Sequence, residues 1–157
     1  MAQLHLVPPI VEELSPPSPI RVVLGVGHEM MRRSLLQLLD VEDGVDVIGE
    51  ADDLSSTLRS VQRDRPDVLV FDHRAPDGSR QQAIREISAK APDTQVVLLT
   101  MNDTQPFAEL ARDCGALGFV LKDHADSDLL PAIRAVARGE PYTSPQVGRS
   151  RRDSPRV

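Results

Sequence analysis

Three side chains with complementary chemistry, a carboxylate, a hydroxyl and an ammonium, each follow a short apolar run. Asp72 follows VLVF, Thr100 follows VVLL and Lys122 follows LGFVL. Short apolar runs between turn signals are typical of strands buried on both faces of a parallel sheet. The carboxyl ends of such strands share one edge, so we expect the three side chains to converge around a crevice. A carboxylate that accepts a phosphoryl group, with a hydroxyl and an ammonium that bind its oxygens, is the chemistry this set favours.

Apolar runs alternate with amphipathic helical patterns along most of the chain. Five strands are predicted, at Ile20–Leu24, Val45–Gly49, Val68–Asp72, Gln95–Leu99 and Leu117–Leu121. Five helices are predicted, at about 29–40, 52–65, 78–90, 106–114 and 126–138, where apolar residues recur at helical spacing. Short connections of two to six residues are typical of βαβ units. The sequence therefore predicts a doubly wound α/β fold, in which helices cover both faces of a five-stranded parallel sheet.

Composition limits the classes of protein to which the chain could belong. The chain has 157 residues, 40% of them hydrophobic, which suggests one domain with a core. Its net charge of −6 argues against direct nucleic-acid binding by this chain. The single cysteine, Cys114, excludes an intramolecular disulfide and favours a structural thiol. There is no secretory signal and no apolar run of about 18 residues, so we expect a cytoplasmic protein with no membrane contact.

The two ends of the chain differ in composition from its body. Residues 1–19 contain five of the thirteen prolines, which predicts a flexible arm rather than helix or central strand. A proline-rich docking peptide is the alternative for this arm. Residues 20–140 are predicted to form the domain. Residues 141–157 carry four arginines and are predicted to be a disordered tail or the start of a linker.

The order of several motifs resembles a known family. The motifs are IRVVL, VIGEADD, RPDVLVFD, PDTQVVLLT, GALGFVLKD and AIRAVARGEPYTSP, all within Ile20–Glu140. This span resembles the receiver domain of two-component response regulators, in the subclass that usually carries a C-terminal LuxR-type helix-turn-helix. The resemblance implies a flavodoxin-like, three-layer fold with strand order 2-1-3-4-5. It also implies that Asp72 is the phosphoacceptor position, Thr100 the switch hydroxyl, Phe119 the switch aromatic and Lys122 the phosphate-binding lysine.

The sequence departs from the family pattern after the first strand. Receivers usually place two acidic residues there to hold Mg²⁺, and the matching positions here are Val26 and Gly27. Magnesium requires hard oxygen ligands in near-octahedral geometry. We therefore predict weak or no Mg²⁺ binding and expect no other cofactor. Without the metal, the transition state for phosphoryl transfer loses several kcal/mol of stabilisation, so rapid phosphorylation of Asp72 is in doubt.

Other polar residues near the depleted pair offer partial replacements. Glu29 is one candidate, although a solvated carboxylate at a helix start is the simpler interpretation. His28 and His73 are the others, and a transition-metal site that joins them to Glu29 and Asp72 is disfavoured because neighbouring strand residues point to opposite faces. Alternatively, Lys122 pairs directly with Asp72.

Several functions follow as hypotheses. The first is an atypical receiver that is not an enzyme beyond self-phosphorylation and autodephosphorylation, and that acts through protein contacts or a small ligand. Its partners would be a sensor histidine kinase or a second copy bound through the fourth helix, fifth strand and fifth helix. The alternatives are a slowly phosphorylated conventional receiver, or the receiver portion of a longer helix-turn-helix regulator. A flavodoxin-like enzyme or nucleotide binder is disfavoured, because GVG at 25–27 is not a GxGxxG motif and there is no P-loop.

Overall fold

The computed structural model describes residues 18–72 and 79–149, and alternates strands with helices. The strands are β1 Ile20–Val26, β2 Val45–Ala51, β3 Val68–Asp72, β4 Gln95–Thr100, β5 Ala116–Leu121 and β6 Tyr142–Thr143. The helices are α1 Glu29–Asp40, α2 Leu54–Asp64, α3 Ser79–Lys90, α4 Gln105–Cys114 and α5 Ala125–Ala137, with a 3₁₀ turn at Lys122–His124. The predicted N-terminal arm lies outside the described residues, except for its last two.

All neighbouring strands in the sheet are parallel, and their spatial order is β2-β1-β3-β4-β5-β6. The predicted order of the first five strands is confirmed. The order reverses beside β1, so the carboxyl ends of β1 and β3 open onto the crevice where such sheets place their sites.

Two apolar clusters cover the two faces of the sheet. In β3, alternate residues serve opposite clusters: Leu69 and Phe71 pack towards α2, α3 and α4, whereas Val68 and Val70 pack towards α1 and α5. This alternation follows from the two-residue repeat of a strand, and it explains why β3 is a continuous apolar run. Cys114 is buried in the first cluster, as predicted for a structural thiol. Among the described residues, no helix is both long and apolar enough to span a bilayer.

The first strand is longer than predicted. The predicted strand ends at Leu24, but Gly25 and Val26 continue β1 and pair with Phe71 and Asp72 of β3. Glycine suits position 25 because a Cβ there would lie 2.8 Å from Oγ1 of Thr57 on α2. Close packing against a helix, rather than a turn, therefore accounts for this glycine.

The domain also extends beyond the predicted boundary at residue 140. Tyr142–Thr143 adds a sixth strand beside β5, and the described chain continues through turns to Arg149. Residues 141–149, which we predicted to be a disordered tail or the start of a linker, are ordered, and the remainder of that segment lies outside the described residues. The short, polar sequence of this segment gave no periodic signal, and its order comes from contacts with the body of the domain.

The start of α2 offers a test of local structure. Asp53 is the N-cap: its carboxylate accepts a hydrogen bond from the Ser56 N–H at 2.7 Å, and the Ser56 hydroxyl accepts one from the Asp53 N–H at 3.3 Å. This reciprocal capping box satisfies two amides at the helix start. We expect Asp53→Ala to lower the free energy of unfolding by about 1 kcal/mol. Urea denaturation followed by circular dichroism would measure the loss, and Asp93→Ala in the α3–β4 turn is the surface control. A stability equal to that of the control would contradict the assignment.

Candidate functional site

Asp72 is the last residue of β3 and lies at the carboxyl edge of the sheet. It neighbours Val26 in the register of β1 and β3. Its backbone carbonyl accepts a hydrogen bond from the Gly27 N–H at 3.1 Å, which ties the turn after β1 to the end of β3. Asp72 is 4% exposed, so its charge is removed from water and requires a partner.

Lys122 is that partner. Its Nζ lies 2.8 Å from Oδ2 of Asp72, and the lysine side chain is 20% exposed. Lys122 directly follows β5 and opens the 3₁₀ turn, so the ion pair joins β3 to β5 across the end of β4. The other carboxylate oxygen of Asp72 is buried and has no hydrogen-bond partner in the described part of the chain. A charge-assisted hydrogen bond of this length is strong, so Lys122 sets the electrostatic environment of Asp72.

The positions of the expected acidic pair are apolar and compact. Val26 is fully buried and packs in the cluster beneath α1 and α5. Its carbonyl accepts a hydrogen bond from Nη1 of Arg32 at 2.9 Å, and the Nε of Arg32 lies 3.4 Å from Glu50. The β1 end is thus held by a guanidinium from α1. Sequence reasoning missed this contact because Arg32 is separated from Val26 by a helical turn whose direction only the fold reveals.

A cleft of about 420 Å³ opens above the ion pair. It is lined by His28, Met30, Met31, Ser34, Asp72, Met101 and Lys122. The side chains of Met30 and Met101 are largely exposed at this cleft. No pattern in the sequence indicates that three thioethers would line a cleft together with Asp72. Flexible, apolar thioether side chains therefore form much of the cleft's lining.

The residues considered as replacements for the acidic pair have different positions. His28 lines the cleft and caps α1, where its Nδ1 accepts a weak hydrogen bond from the Met31 N–H at 3.4 Å. Glu29 does not line the cleft, and its exposed carboxylate pairs with Arg33 at 3.2 Å. The interpretation of Glu29 as a solvated helix-start carboxylate therefore fits the structure better than a role in the crevice. His73 lies outside the described residues.

Thr100 ends β4, and its hydroxyl is buried. Its Oγ1 accepts a hydrogen bond from the Asn102 N–H at 3.0 Å, which shapes the loop that follows the strand. Thr100 and Lys122 line a second cavity of about 430 Å³, together with residues of the C-terminal segment, including Gln146 and Arg149. Lys122 and Met101 line both cavities, so Lys122 borders the cavity that contains Asp72 as well as the one that contains Thr100. Asp72 and Thr100 thus line two different cavities, and Lys122 is the side chain of the three that borders both.

Phe119 lies inside the domain, on β5. It is buried and packs edge to face against Phe107 of α4, with ring centroids 5.9 Å apart. It belongs to the cluster towards α2, α3 and α4, so it contributes to the core rather than to the cleft at Asp72. Such an aromatic pair adds to the stability of the β5–α4 contact.

The described side chains make a poor set of ligands for a hard divalent cation. Asp72 is already paired with an ammonium, Val26 is apolar and Gly27 has no side chain. Within residues 18–72 and 79–149, no three His, Cys, Asp or Glu residues are grouped so that they could hold a metal ion. Octahedral Mg²⁺ relies on carboxylate and carbonyl oxygens, so this donor set does not fit the ion.

Comparison with known families and proteins gives a consistent result. Residues 27–134 match the family model described as the response regulator receiver domain. The response regulator GacA of Pseudomonas viridiflava is 31% identical over 128 residues, which cover 82% of this chain and 60% of that protein. The DNA-binding transcriptional activator DevR/DosR of Mycobacterium tuberculosis is 34% identical over 120 residues, 76% of this chain and 55% of that protein. The chain thus spans about 60% of the length of the curated relatives it matches.

Solved structures are similar in fold as well. A two-component response regulator of the LuxR family from Aurantimonas is 28% identical, with a TM-score of 0.76, and the match covers 87% of this chain and 100% of that one. The signal receiver domain of the putative response regulator NarL from Mycobacterium tuberculosis is 31% identical, with a TM-score of 0.71, and the match covers 79% of this chain and 100% of that one. These similarities agree with the sheet order and with the family suggested by the sequence motifs.

Proposed function

Because the chain belongs to the response regulator receiver family, we propose that it is a metal-poor receiver of two-component signalling that acts chiefly through protein–protein contacts. In this proposal Asp72 is phosphorylated slowly or not at all with Mg²⁺. The observation that carries it is the 2.8 Å ion pair between Lys122 and Asp72, beside a buried Val26. Among the described residues, Lys122 is the cation that the structure places against Asp72.

The physical reason concerns the transition state. Phosphorylation of Asp72 requires one carboxylate oxygen to form a bond to phosphorus while the bond from phosphorus to the donor's leaving atom breaks; that atom is an imidazole nitrogen in a phosphohistidine and an acetate oxygen in acetyl phosphate. Charge on the phosphoryl oxygens is normally neutralised by a divalent ion as well as by a lysine. Here Lys122 remains, but the acidic pair that would hold the ion is absent. Lewis-acid stabilisation of several kcal/mol is lost, which corresponds to a rate slower by about two to three orders of magnitude.

Labelling with acetyl phosphate tests the proposal. We expect the wild-type protein with Mg²⁺ to show little or no shifted band on phosphate-affinity gels after an incubation that labels a conventional receiver completely. We also expect the rate to be the same with Mg²⁺ and with EDTA. Asp72→Asn is the matched control, because it keeps the size of the side chain and removes the acceptor. Rapid, complete, Mg²⁺-dependent labelling at Asp72 would refute the proposal.

A slow but genuine phosphoacceptor is the second candidate function. One buried oxygen of Asp72 has no hydrogen-bond partner among the described residues and is not engaged by Lys122, which favours this candidate. This candidate predicts a faint band that grows over hours and disappears in Asp72→Asn. The absence of any Asp72-dependent band, with every donor and metal tried, would exclude the slow phosphoacceptor and favour the function in protein–protein interaction.

The partners follow from the family and remain proposals. A sensor histidine kinase is the expected upstream partner. We do not expect the chain to be an enzyme that acts on a separate substrate. Because the curated relatives are longer and several are named as transcriptional regulators, the chain would be the receiver portion of a DNA-binding regulator. DNA contact is assigned to the part beyond this domain, and comparison of the chain's end with its natural reading frame tests this assignment.

Homodimerisation through α4, β5 and α5 is a further proposal. In the structure, residues 142–149 contact this face, with β6 paired to the edge of β5. A second copy would have to bind over this segment or displace it. Sedimentation of the full chain over a range of concentrations would test self-association.

A further inference from the structure

The C-terminal segment, residues 142–149, is bound to the domain at several points. Tyr142 and Thr143 pair with Gly118 and Phe119 of β5. Nη2 of Arg112 on α4 donates a hydrogen bond to Thr143 Oγ1 at 2.9 Å. The Gly148 N–H donates to the carbonyl of Asp103 at 2.7 Å, and Val147 packs against the apolar cluster below α4. The segment is therefore a structured part of the domain's α4–β5–α5 face.

Ser144 is the centre of this attachment. It is 1% exposed and makes three hydrogen bonds. Its N–H donates to the Phe119 carbonyl at 2.9 Å, and its hydroxyl oxygen accepts from the Leu121 N–H at 3.0 Å. Its hydroxyl proton is donated to Oδ2 of Asp128 on α5 at 2.9 Å. At this buried position water cannot replace either hydrogen bond of the hydroxyl. The contact is therefore specific to a side chain that both accepts and donates a hydrogen bond.

The residue after Leu121 is Lys122, the partner of Asp72. The β4–β5 ladder ends where Thr100 pairs with Leu121. Just beyond that point, the ion pair between Lys122 and Asp72 links the end of β5 to the end of β3. Ser144 holds residues 119 and 121 from the other side. The end of β5 is thus shared by the candidate site and by the C-terminal segment.

We propose that Ser144 is a positioning residue that couples the C-terminal segment to the charge state of the Asp72–Lys122 pair. When Lys122 loses its partner, the end of β5 and the 3₁₀ turn relax, and the hydrogen bonds to Ser144 weaken with them. Binding equilibria coupled in this way are reciprocal, so a detached segment must also alter the Lys122–Asp72 pair. This coupling depends on neither phosphorylation nor a metal. It can therefore be absent while the proposed function holds, or present while the proposed function fails.

Amide hydrogen exchange on the full chain tests the coupling. We expect the amides of Ser144 and Gly148 to exchange at least about fivefold faster in Asp72→Asn and in Lys122→Met than in the wild type, the lower end of typical coupling between sites. Lys90→Met is the matched control, because it breaks a surface ion pair of similar length, 2.9 Å, with Glu86 on α3. Unchanged exchange at both amides in both site variants would overturn the proposal.

A second set of variants distinguishes energetic coupling through Ser144 from a purely structural role of Ser144. Ser144→Ala should accelerate exchange at Gly148, and adding Asp72→Asn to it should give little further acceleration, because the link is already broken. If the two substitutions act independently and their effects multiply, Ser144 is only a structural anchor and the proposal is wrong. The Leu98 amide in β4 reports global unfolding, and its slow exchange in each variant shows that the domain remains folded.

Discussion

Replacing Val26 and Gly27 together by aspartate will lower the free energy of unfolding by about 2–4 kcal/mol in EDTA, and Mg²⁺ will restore much of the loss. Val26 is fully buried in the cluster below α1 and α5. Its register neighbour is Asp72, so a carboxylate at position 26 would be about 5 Å from another across adjacent strands. Two buried like charges at that separation destabilise each other until a cation binds between them.

A side chain fits more easily at position 27 than at the buried position 26. A Cβ there would lie 3.3 Å from the carbonyl of Asp52 and 4.0 Å from that of Asp72, so only a small shift is needed. The second aspartate would thus complete a set of oxygen ligands at little steric cost. Binding of Mg²⁺ to the folded state alone stabilises it by about 2.7 kcal/mol at a concentration one hundred times the dissociation constant.

Urea denaturation of the wild type and the double variant, in EDTA and in Mg²⁺, would measure this effect. Val26→Asn/Gly27→Asn is the matched control, since it has similar size without charge, and its stability should not respond to Mg²⁺. Fluoroberyllate binding should likewise be weak in the wild type and measurable in the aspartate variant. A wild-type protein that Mg²⁺ stabilises as strongly as the aspartate variant would show that the native crevice holds the ion.

Substitution of Lys122 by methionine has the second large expected effect. It leaves the buried Asp72 carboxylate without its charge partner, and we expect the free energy of unfolding to fall by about 2–4 kcal/mol. The range lies slightly below that for a fully buried pair, because the Lys122 side chain is 20% exposed and water can reach the site. Loss of a single partner is costly because the remaining charge is not solvated.

The double variant Asp72→Asn/Lys122→Met identifies the origin of the loss. Since it removes both charges, it should recover more than half of the stability lost in Lys122→Met. Lys90→Met, which breaks the exposed pair with Glu86, should cost less than about 0.5 kcal/mol. If Lys122→Met proved as mild as Lys90→Met, the ion pair would not control the environment of Asp72.

Parts of the site could be predicted because their signals are local. Asp72, Thr100 and Lys122 each end an apolar run, and the parallel arrangement brings such ends to one edge. The direct Lys122–Asp72 pair was among the alternatives for the same reason. The methionine-lined cleft was not predictable, because Met30 and Met101 belong to different elements and carry no pattern that distinguishes a cleft from a surface.

The errors have a common physical cause. Gly25 falls outside the predicted strand, which ends at Leu24, yet it is a strand residue whose missing Cβ accommodates Thr57 of α2. Tyr142–Ser144 looks like the start of a tail, yet it is held by β5 and α5. In both cases long-range packing overrides the local preference of a short segment.

The sequence alone determined the alternation of strands and helices, the parallel sheet, the position of Asp72 at its edge and the absence of the acidic pair. These properties depend on hydrophobic periodicity and residue identity, which are local. Only the tertiary structure decided that Lys122 is the partner of Asp72, that Val26 is core, and that Ser144 attaches the chain's end to β5. Those outcomes depend on which residues, distant in sequence, the folded chain brings within hydrogen-bonding distance.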